Sequence, residues 1–240
     1  MSRDTTRKMQ SAPNEIEASH SVKPSSLSHS PELHWERAFW AADMKVVAGV
    51  DEVGRGAMAG PLLSAAVVLP AVTGAKLRKL RLALADVRDS KILTPVRRTQ
   101  LAQAVREQAI GVGIGVVDVN ELDSVGVGPA NRMAMERAVL ALHYEVDALI
   151  IDACVLDLGC PQTGPIDGDA LSLSVAAASI VAKVTRDQMM IDLAAVDTRY
   201  GFELHKGYCS GLHRERLLQY GPSEHHRRCF APVAAVLRTT

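Results

Sequence analysis

Acidic side chains follow two apolar segments of the chain and precede a third element. Asp51 and Glu52 close the apolar run that begins at Met44, and Asp152 closes another short apolar run. Asp169 lies just before a segment with a helical pattern. Because carboxylates at the ends of adjacent central strands converge in space, we expect these four acids to form one cluster.

Such a cluster predicts a site for divalent metal ions. Carboxylates that are brought together repel one another, and their pKa values rise unless cations neutralise them. Oxygen ligands without His or Cys select Mg²⁺ or Mn²⁺ rather than zinc. Two such ions, roughly 3.5–4 Å apart, can activate a water and hold the attacking and leaving oxygens of a phosphodiester. Because consecutive strand residues face opposite ways, Asp51 and Glu52 can share this site only if the strand twists or ends there.

A glycine-flanked arginine, Gly54-Arg55-Gly56, follows the first two acids directly. One interpretation is a tight turn. The two glycines would also let backbone groups approach a ligand closely. A ribose 2′-hydroxyl both donates and accepts, so an exposed backbone segment suits it. The glycines at 111, 113 and 115 are interpreted as a turn as well, and neither segment has the spacing of a dinucleotide-binding motif.

The charge of the chain is balanced as a whole but uneven along its length. The 240 residues include 27 basic and 27 acidic side chains, which argues against a globally polycationic binder. Residues 74–110 hold nine Lys or Arg against three Asp or Glu, and residues 199–240 hold seven against three. These basic segments indicate either a solvated face or a track for duplex phosphates beside the metal site. The adjacent His225 and His226 are expected at the surface.

The elements that must position these residues follow from the apolar patterns. A composition that is 48% apolar and only 4% aromatic favours a packed α/β interior. The Pro at 95 directly after Thr94 predicts a capped helix start. Strands are predicted at 44–50, 62–69, 110–119 and 148–152, and helices at 32–44, 95–109, 129–142, 170–196 and 211–220.

The order of these elements predicts one catalytic domain. We expect a disordered N-terminal extension at 1–33, an α/β domain at 34–225 that includes a C-terminal helical appendage, and a C-terminal tail at 226–240. The four cysteines form no C-x-x-C pair, and no secretory signal precedes them, which predicts a cytoplasmic protein.

Several motifs, in order and at ordinary spacing, resemble those of the ribonuclease HII family. The resemblance spans about 46–234. It rests on Val50 to Gly56 with Ala59-Gly60-Pro61, Asp89-Ser90-Lys91, Ser174 to Asp187, His205 to Tyr208, Tyr220 to Ser223, His226 to Arg228 and Phe230 to Val233.

The resemblance implies a ribonuclease H-like fold, with a central mixed five-stranded sheet flanked by helices. It implies an endoribonuclease that cuts the RNA strand of RNA–DNA hybrids and nicks 5′ to single ribonucleotides in duplex DNA. The products would carry 3′-hydroxyl and 5′-phosphate ends, and two Mg²⁺ or Mn²⁺ ions would take part. The implied catalytic and metal-binding residues are Asp51, Glu52, Asp152 and Asp169.

The same resemblance implies substrate-binding residues. The loop that reads the 2′-hydroxyl corresponds to Gly54, Arg55 and Gly56, and the tyrosine that packs on the following deoxyribose corresponds to Tyr208. Four further candidates are one serine and three basic residues. Ser90 and Lys91 could position a phosphate. Lys183 and Arg186, one helical turn apart, could either pair with acids or touch phosphates.

The chain also departs from the family pattern near the metal acids. Ala153 replaces a usual Gly, Ile92 replaces a usual Lys, and Asp167 replaces a usual Lys two residues before the fourth acid. An added carboxylate there could compete with Asp169 or raise neighbouring pKa values. The alternative is therefore a catalytically weakened protein that binds RNA–DNA hybrids, and a second is another nuclease of the same superfamily. The expected partner is nucleic acid. The protein is expected to be a monomer that does not bind a membrane.

Overall fold

A computed structural model describes residues 31–88, 90, 93–151, 154–164 and 171–238. Three of the predicted site residues, Lys91, Asp152 and Asp169, lie outside the described residues. So do Asp167 and most of the predicted N-terminal extension.

A mixed five-stranded sheet lies at the centre of the described part of the chain. Its spatial order is β3-β2-β1-β4-β5. The β1 strand pairs antiparallel with β2 and parallel with β4, β2 pairs antiparallel with β3, and β4 pairs parallel with β5. The fold class predicted from the sequence is confirmed. The strands are β1 Val47–Val53, β2 Leu62–Val68, β3 Gly111–Val117, β4 Ala148–Ile151 and β5 Gln162–Thr163.

Helices cover both faces of this sheet and extend beyond it at the C-terminal end. In the described residues they are α1 His34–Ala41, α2 Gly74–Ala83, α3 Pro95–Gln108, α4 Val119–Val125, α5 Val127–Leu140, α6 Leu173–Val196, α7 Phe202–His205, α8 Gly211–Tyr220 and α9 Ala231–Leu237.

The β2 strand is buried along its whole length because a helix packs on each of its faces. Leu63, Ala65 and Val67 join the core that α6 and α3 close on one side. Ala66 and Val68, which point the other way, join the core that α5 closes. The continuous apolar pattern of 62–69 is therefore explained by a strand that is covered on both faces.

Two glycines allow one of these helices, α5, to approach the sheet very closely. A Cβ on Gly115 would lie 1.9 Å from the carbonyl oxygen of Ala134, and one on Gly113 would lie 2.0 Å from that of Ala138. Both carbonyls belong to α5. The prediction of a strand at 110–119 is confirmed, whereas the interpretation of its glycines as a turn was wrong. Their spacing of two residues places them on one face of β3, where they make room for the helix.

A buried carboxylate fixes the start of α6 against α1. Glu36 Oε1 accepts hydrogen bonds from Ser172 Oγ at 2.7 Å, from Ser174 N–H at 2.8 Å and from Ser174 Oγ at 2.7 Å. Ser172 also caps the helix, because its Oγ accepts from the N–H of Val175. The first turn of α6 then lies against Gly49 of β1, two residues before Asp51.

The C-terminal helices pack on the edge of the domain. Val233 of α9 is buried with Leu217 of α8 and Met58 of the loop between β1 and β2. The segment 226–238 is therefore continuous with the packed structure, and the predicted boundary at 225 does not coincide with a break in the packing.

The stronger sequence patterns located their elements well. Thr94 Oγ1 accepts from the N–H of Arg97 and caps α3 as predicted. Of the segment 170–196, predicted as one or two helices, residues 173–196 form the single helix α6. The helix α2 was missed, although Leu77 and Leu80 in it and Leu84 directly after it recur at helical spacing and pack on the core. In the part of the chain that the structure describes, no helix is both long and apolar enough to span a membrane.

Candidate active site

The first two predicted acids lie inside β1 rather than after it. The strand continues to Val53, and Asp51 and Glu52 pair across the antiparallel ladder with Ala65 and Ser64. Ser64 Oγ donates a hydrogen bond to the carbonyl oxygen of Asp51 at 2.6 Å. Both acids are half-buried. They therefore lie at the point where the strand leaves the core.

The neighbouring parallel strand reaches the same level. Val50 pairs with Ile151, so the described part of β4 ends beside the residue that precedes Asp51. Asp152 follows Ile151 in the sequence but lies outside the described residues, as does Asp169. The convergence of all four acids stays a prediction.

The donor set at the end of β1 fits a hard divalent cation. Asp51 and Glu52 offer carboxylate oxygens only, which suit Mg²⁺ or Mn²⁺. Within the described ranges no group of three or more His, Cys, Asp or Glu side chains could hold a metal, and those ranges contain two of the four predicted ligands. Asp51 and Glu52 are therefore half of the proposed ligand set.

The glycine-arginine-glycine segment forms a tight turn directly after the acids. Gly54 has a φ of 85°, a backbone conformation that favours glycine, and its carbonyl oxygen accepts from the N–H of Ala57 at 3.2 Å. Arg55 is largely exposed, and its Nη1 lies 3.9 Å from Glu52 Oε1. No atom lies within 4 Å of a Cβ built on Gly56, so this side of the turn is open to a ligand.

Two fully buried arginines lie beneath this turn. Arg186 of α6 donates to the carbonyl oxygens of Ala59 and Pro61, and to that of Lys206. Its guanidinium has no exposed surface for a phosphate, so we interpret it as a positioning residue rather than the direct contact that the sequence suggested.

Arg227 is the second of these arginines. It donates to the carbonyl oxygens of Gly54, Arg55 and Gly60. The sequence analysis did not select Arg227 as a functional residue. Its place in the family motif from His226 to Arg228 could have indicated a functional role for Arg227.

The predicted junction tyrosine lies on a loop that is bonded to the segment directly after the turn. The carbonyl oxygen of Gly207 accepts from the N–H groups of Met58 and Ala59 at 2.8 and 3.3 Å. The next residue, Tyr208, is 36% exposed. Two cations lie over its ring: Lys183 Nζ at 5.6 Å and the Arg186 guanidinium carbon at 5.4 Å from the centroid. The structure therefore brings Gly54, Arg186 and Tyr208 into one neighbourhood.

A buried histidine network supports the tyrosine loop from behind. The carbonyl of Tyr208 can only accept, so His213 donates to it from Nδ1 at 2.9 Å and leaves its Nε2 as an acceptor. The N–H of Ser223 can only donate, so His226 accepts through Nδ1 at 3.1 Å and donates from Nε2 to His213 Nε2 at 3.1 Å. The expectation of a surface position is wrong for His226, which is 1% exposed.

Burial keeps this network uncharged. It lowers the pKa of His213 to about 4 and that of His226 to about 3. The pKa of His205, which stacks on His213 at 4.2 Å between ring centroids, is also lowered by burial. The network needs neutral rings, because each ring uses one nitrogen as an acceptor.

The other predicted contacts divide between a groove and the core. Lys183 Nζ pairs with Asp187 Oδ1 at 2.7 Å, which agrees with the pairing alternative. Lys183 and Arg98 line a groove of about 690 Å³ between α3, α6 and Tyr208. Ser90 is buried instead, with its Oγ 3.1 Å from Ser179 Oγ, so its hydroxyl does not face that groove.

Comparisons with known proteins agree with one another. The family model described as Ribonuclease HII matches residues 48–233. The ribonuclease HII of Chloroflexus aurantiacus is 48% identical over 209 residues, which cover 86% of this chain and 96% of that relative. The crystal structure of ribonuclease H2 from Pyrococcus horikoshii OT3 is similar with a TM-score of 0.67 and 27% identity, over 80% of this chain and 97% of that one.

A more distant solved structure shows the same fold. Bst-RNase HIII in complex with Mn²⁺ has a TM-score of 0.65 and 19% identity, over 83% of this chain and 72% of that one. This likeness is used for the fold alone.

Proposed function

The chain belongs to the ribonuclease HII family and is a ribonuclease H, and we propose that it also nicks duplex DNA on the 5′ side of single embedded ribonucleotides. One relationship carries this proposal. The loop between β1 and β2 contains the turn at 54–56, just after Asp51 and Glu52. This loop is hydrogen-bonded to Gly207 of the loop that presents Tyr208, and Arg186 donates to both loops. The turn proposed to bind the ribose thus lies beside the acids. The loop with the ring proposed to pack on the next sugar is bonded to the same segment.

The residues proposed to hold two Mg²⁺ or Mn²⁺ ions are Asp51, Glu52, Asp152 and Asp169. When bound, such ions supply a water of lowered pKa and charge stabilisation at the leaving 3′-oxygen. The carboxylates of β1 would hold the cations in place beside the scissile phosphate. No covalent intermediate with the protein is required.

The other residues act by binding and orientation. Backbone groups of Gly54, Arg55 and Gly56 would bind the 2′-hydroxyl of the ribonucleotide, which distinguishes RNA from DNA at that position. The ring of Tyr208 would pack on the deoxyribose that follows. The cations Lys183 and Arg98 would add positive charge along the groove, where a nucleic-acid strand carries one phosphate per nucleotide.

The proposal is tested with a labelled DNA duplex that contains one ribonucleotide, incubated with the protein and Mg²⁺. We expect a single nick 5′ to the ribonucleotide and no cut in an all-DNA duplex of the same sequence. The Asp51→Asn variant is the inactive control, and a uniform RNA–DNA hybrid tests ribonuclease H activity separately. If the protein cleaves the hybrid but leaves the duplex with one ribonucleotide intact, the proposed nicking is refuted.

Binding of both substrates without cleavage would instead support the alternative of a hybrid-binding protein with a weakened metal site. No observation on the described residues favours that alternative.

A further inference from the structure

Arg186 and Arg227 are buried cations that, among the described residues, donate hydrogen bonds to backbone carbonyl oxygens alone. Both are fully buried, and among the described residues no carboxylate lies within ion-pair distance of either. Burial lowers the pKa of both, that of Arg227 to about 10. An arginine guanidinium nevertheless stays protonated in proteins. An unpaired buried charge is strongly destabilising, so oriented dipoles must compensate it.

Six carbonyl oxygens provide those dipoles, and they come from two loops. Five belong to the loop between β1 and β2, where Arg227 binds Gly54, Arg55 and Gly60 and Arg186 binds Ala59 and Pro61. The sixth is the carbonyl of Lys206, which Arg186 binds at 2.9 Å. Lys206 lies two residues before Tyr208. Arg186 thus joins the two loops through one guanidinium.

The bonds to Arg227 also set the direction of the backbone in the turn. In a trans peptide the C=O of one residue and the N–H of the next point in opposite directions. The described chain contains no cis peptide bond. Because the carbonyls of Gly54 and Arg55 point down to Arg227, the N–H groups of Arg55 and Gly56 point to the opposite side. The space beside Gly56 is open as well, because no atom lies within 4 Å of a Cβ built there.

Arg186 in turn limits the position of the turn. A Cβ on Gly54 would lie 2.1 Å from Arg186 Nε, so the glycine backbone packs directly on the guanidinium. The same guanidinium lies 5.4 Å from the centre of the Tyr208 ring. A planar fork with fixed donors can hold both neighbours at once, which the single ammonium of a lysine cannot do.

We propose that Arg186 and Arg227 are positioning residues that hold the 54–56 turn and Tyr208 at a fixed separation, so that a ribonucleotide and the deoxyribonucleotide after it are recognised as one unit. This inference rests on the proposed function. It predicts that the two arginines control selectivity for the RNA-to-DNA junction more than the rate of phosphodiester cleavage itself.

The test compares the full-length wild type with Arg186→Lys and Arg227→Lys. Cleavage is measured on a duplex with one ribonucleotide and on a uniform RNA–DNA hybrid without a junction. We expect the ratio of the two kcat/KM values to fall by about 10- to 100-fold in Arg186→Lys, as misplacement of a binding group does. Arg199→Lys, which changes a half-exposed arginine paired with Asp197 outside the site, should keep the wild-type ratio.

A double variant separates positioning from a general loss of structure. If Arg186 acts through Tyr208, then Arg186→Lys combined with Tyr208→Ala should lower the ratio little further than Tyr208→Ala alone. Should Arg186→Lys not fold, as judged by circular dichroism, Arg227→Lys is measured in the same way. A folded variant that keeps the wild-type ratio, or loses both activities in parallel, overturns the inference alone. A wild type without junction cleavage overturns the proposed function and the inference together.

Discussion

The Nε2 atoms of His213 and His226 lie 3.1 Å apart in a buried contact that only neutral rings can make. In the folded protein their pKa values are about 4 and about 3, below the ordinary value of 6.5. The unfolded chain therefore binds more protons than the folded chain between about pH 6.5 and 4. The contribution of this pair to stability is complete above pH 6.5 and is lost as the pH falls through that range.

We predict that the free energy of unfolding falls by roughly 1 kcal/mol per pH unit for each histidine in this range. Urea unfolding at pH 7.5, 6 and 5 measures the slope. His213→Gln, which keeps an acceptor but cannot take up a proton there, should show a shallower slope than wild type. His143→Asn, at an exposed position with φ of 56°, is the matched control and should keep the wild-type slope. An unchanged slope in His213→Gln would contradict this assignment.

Close packing of α5 on β3 predicts an asymmetry between two glycines. Gly115→Ala should lower the free energy of unfolding by about 1–3 kcal/mol, because the new Cβ would overlap the backbone of Ala134. Gly128→Ala, within α5 and with no atom within 4 Å of the new Cβ, should raise it by about 0.5–1 kcal/mol. Denaturant unfolding of both variants at pH 7.5 provides the comparison, and equal effects would show that the contact relaxes freely.

The exposed ring of Tyr208 predicts a loss that depends on the substrate. Tyr208→Ala should reduce cleavage at a single embedded ribonucleotide by an amount that corresponds to roughly 1–3 kcal/mol of stacking, and should affect a uniform hybrid less. Tyr208→Phe keeps the aromatic face and should retain most of the activity. The measurement is kcat/KM on both substrates. Equal losses on both in Tyr208→Ala would exclude a role at the junction.

Asp51 is predicted to matter for cleavage and not for folding. Asp51→Asn should reduce cleavage by at least about 100-fold, since a metal ligand is lost. Its free energy of unfolding should stay the same or rise, because one charge would be removed from the proposed group of carboxylates, which would repel one another. Asp43→Asn, at a fully exposed position with φ of 66°, should match wild type in both assays. Addition of EDTA should stop wild-type cleavage, and restored Mg²⁺ should recover it.

The local patterns of the sequence predicted most of the elements that carry the site. Thr94 and Pro95 marked the start of α3, and the apolar run before Asp51 marked β1, because capping and side-chain alternation are set by neighbours in the chain. The end of β1 was predicted too early. The ladder with β2 carries the strand through Asp51 and Glu52 to Val53, and an antiparallel partner of this kind is not visible in the strand's own residues.

What the sequence alone determined was which groups could do chemistry: the acids beside a glycine turn, and a tyrosine in a familiar motif. Only the tertiary structure decided how they are held. The hydrogen-bonding partners of Arg227 lie 167 to 173 residues away along the chain. His226 contacts His213, which lies 13 residues earlier in α8. A buried polar group must have a hydrogen-bonding partner, and the sequence shows which side chains have such groups. Which carbonyl or ring satisfies it depends on how distant segments pack, and that is fixed only when the whole chain folds.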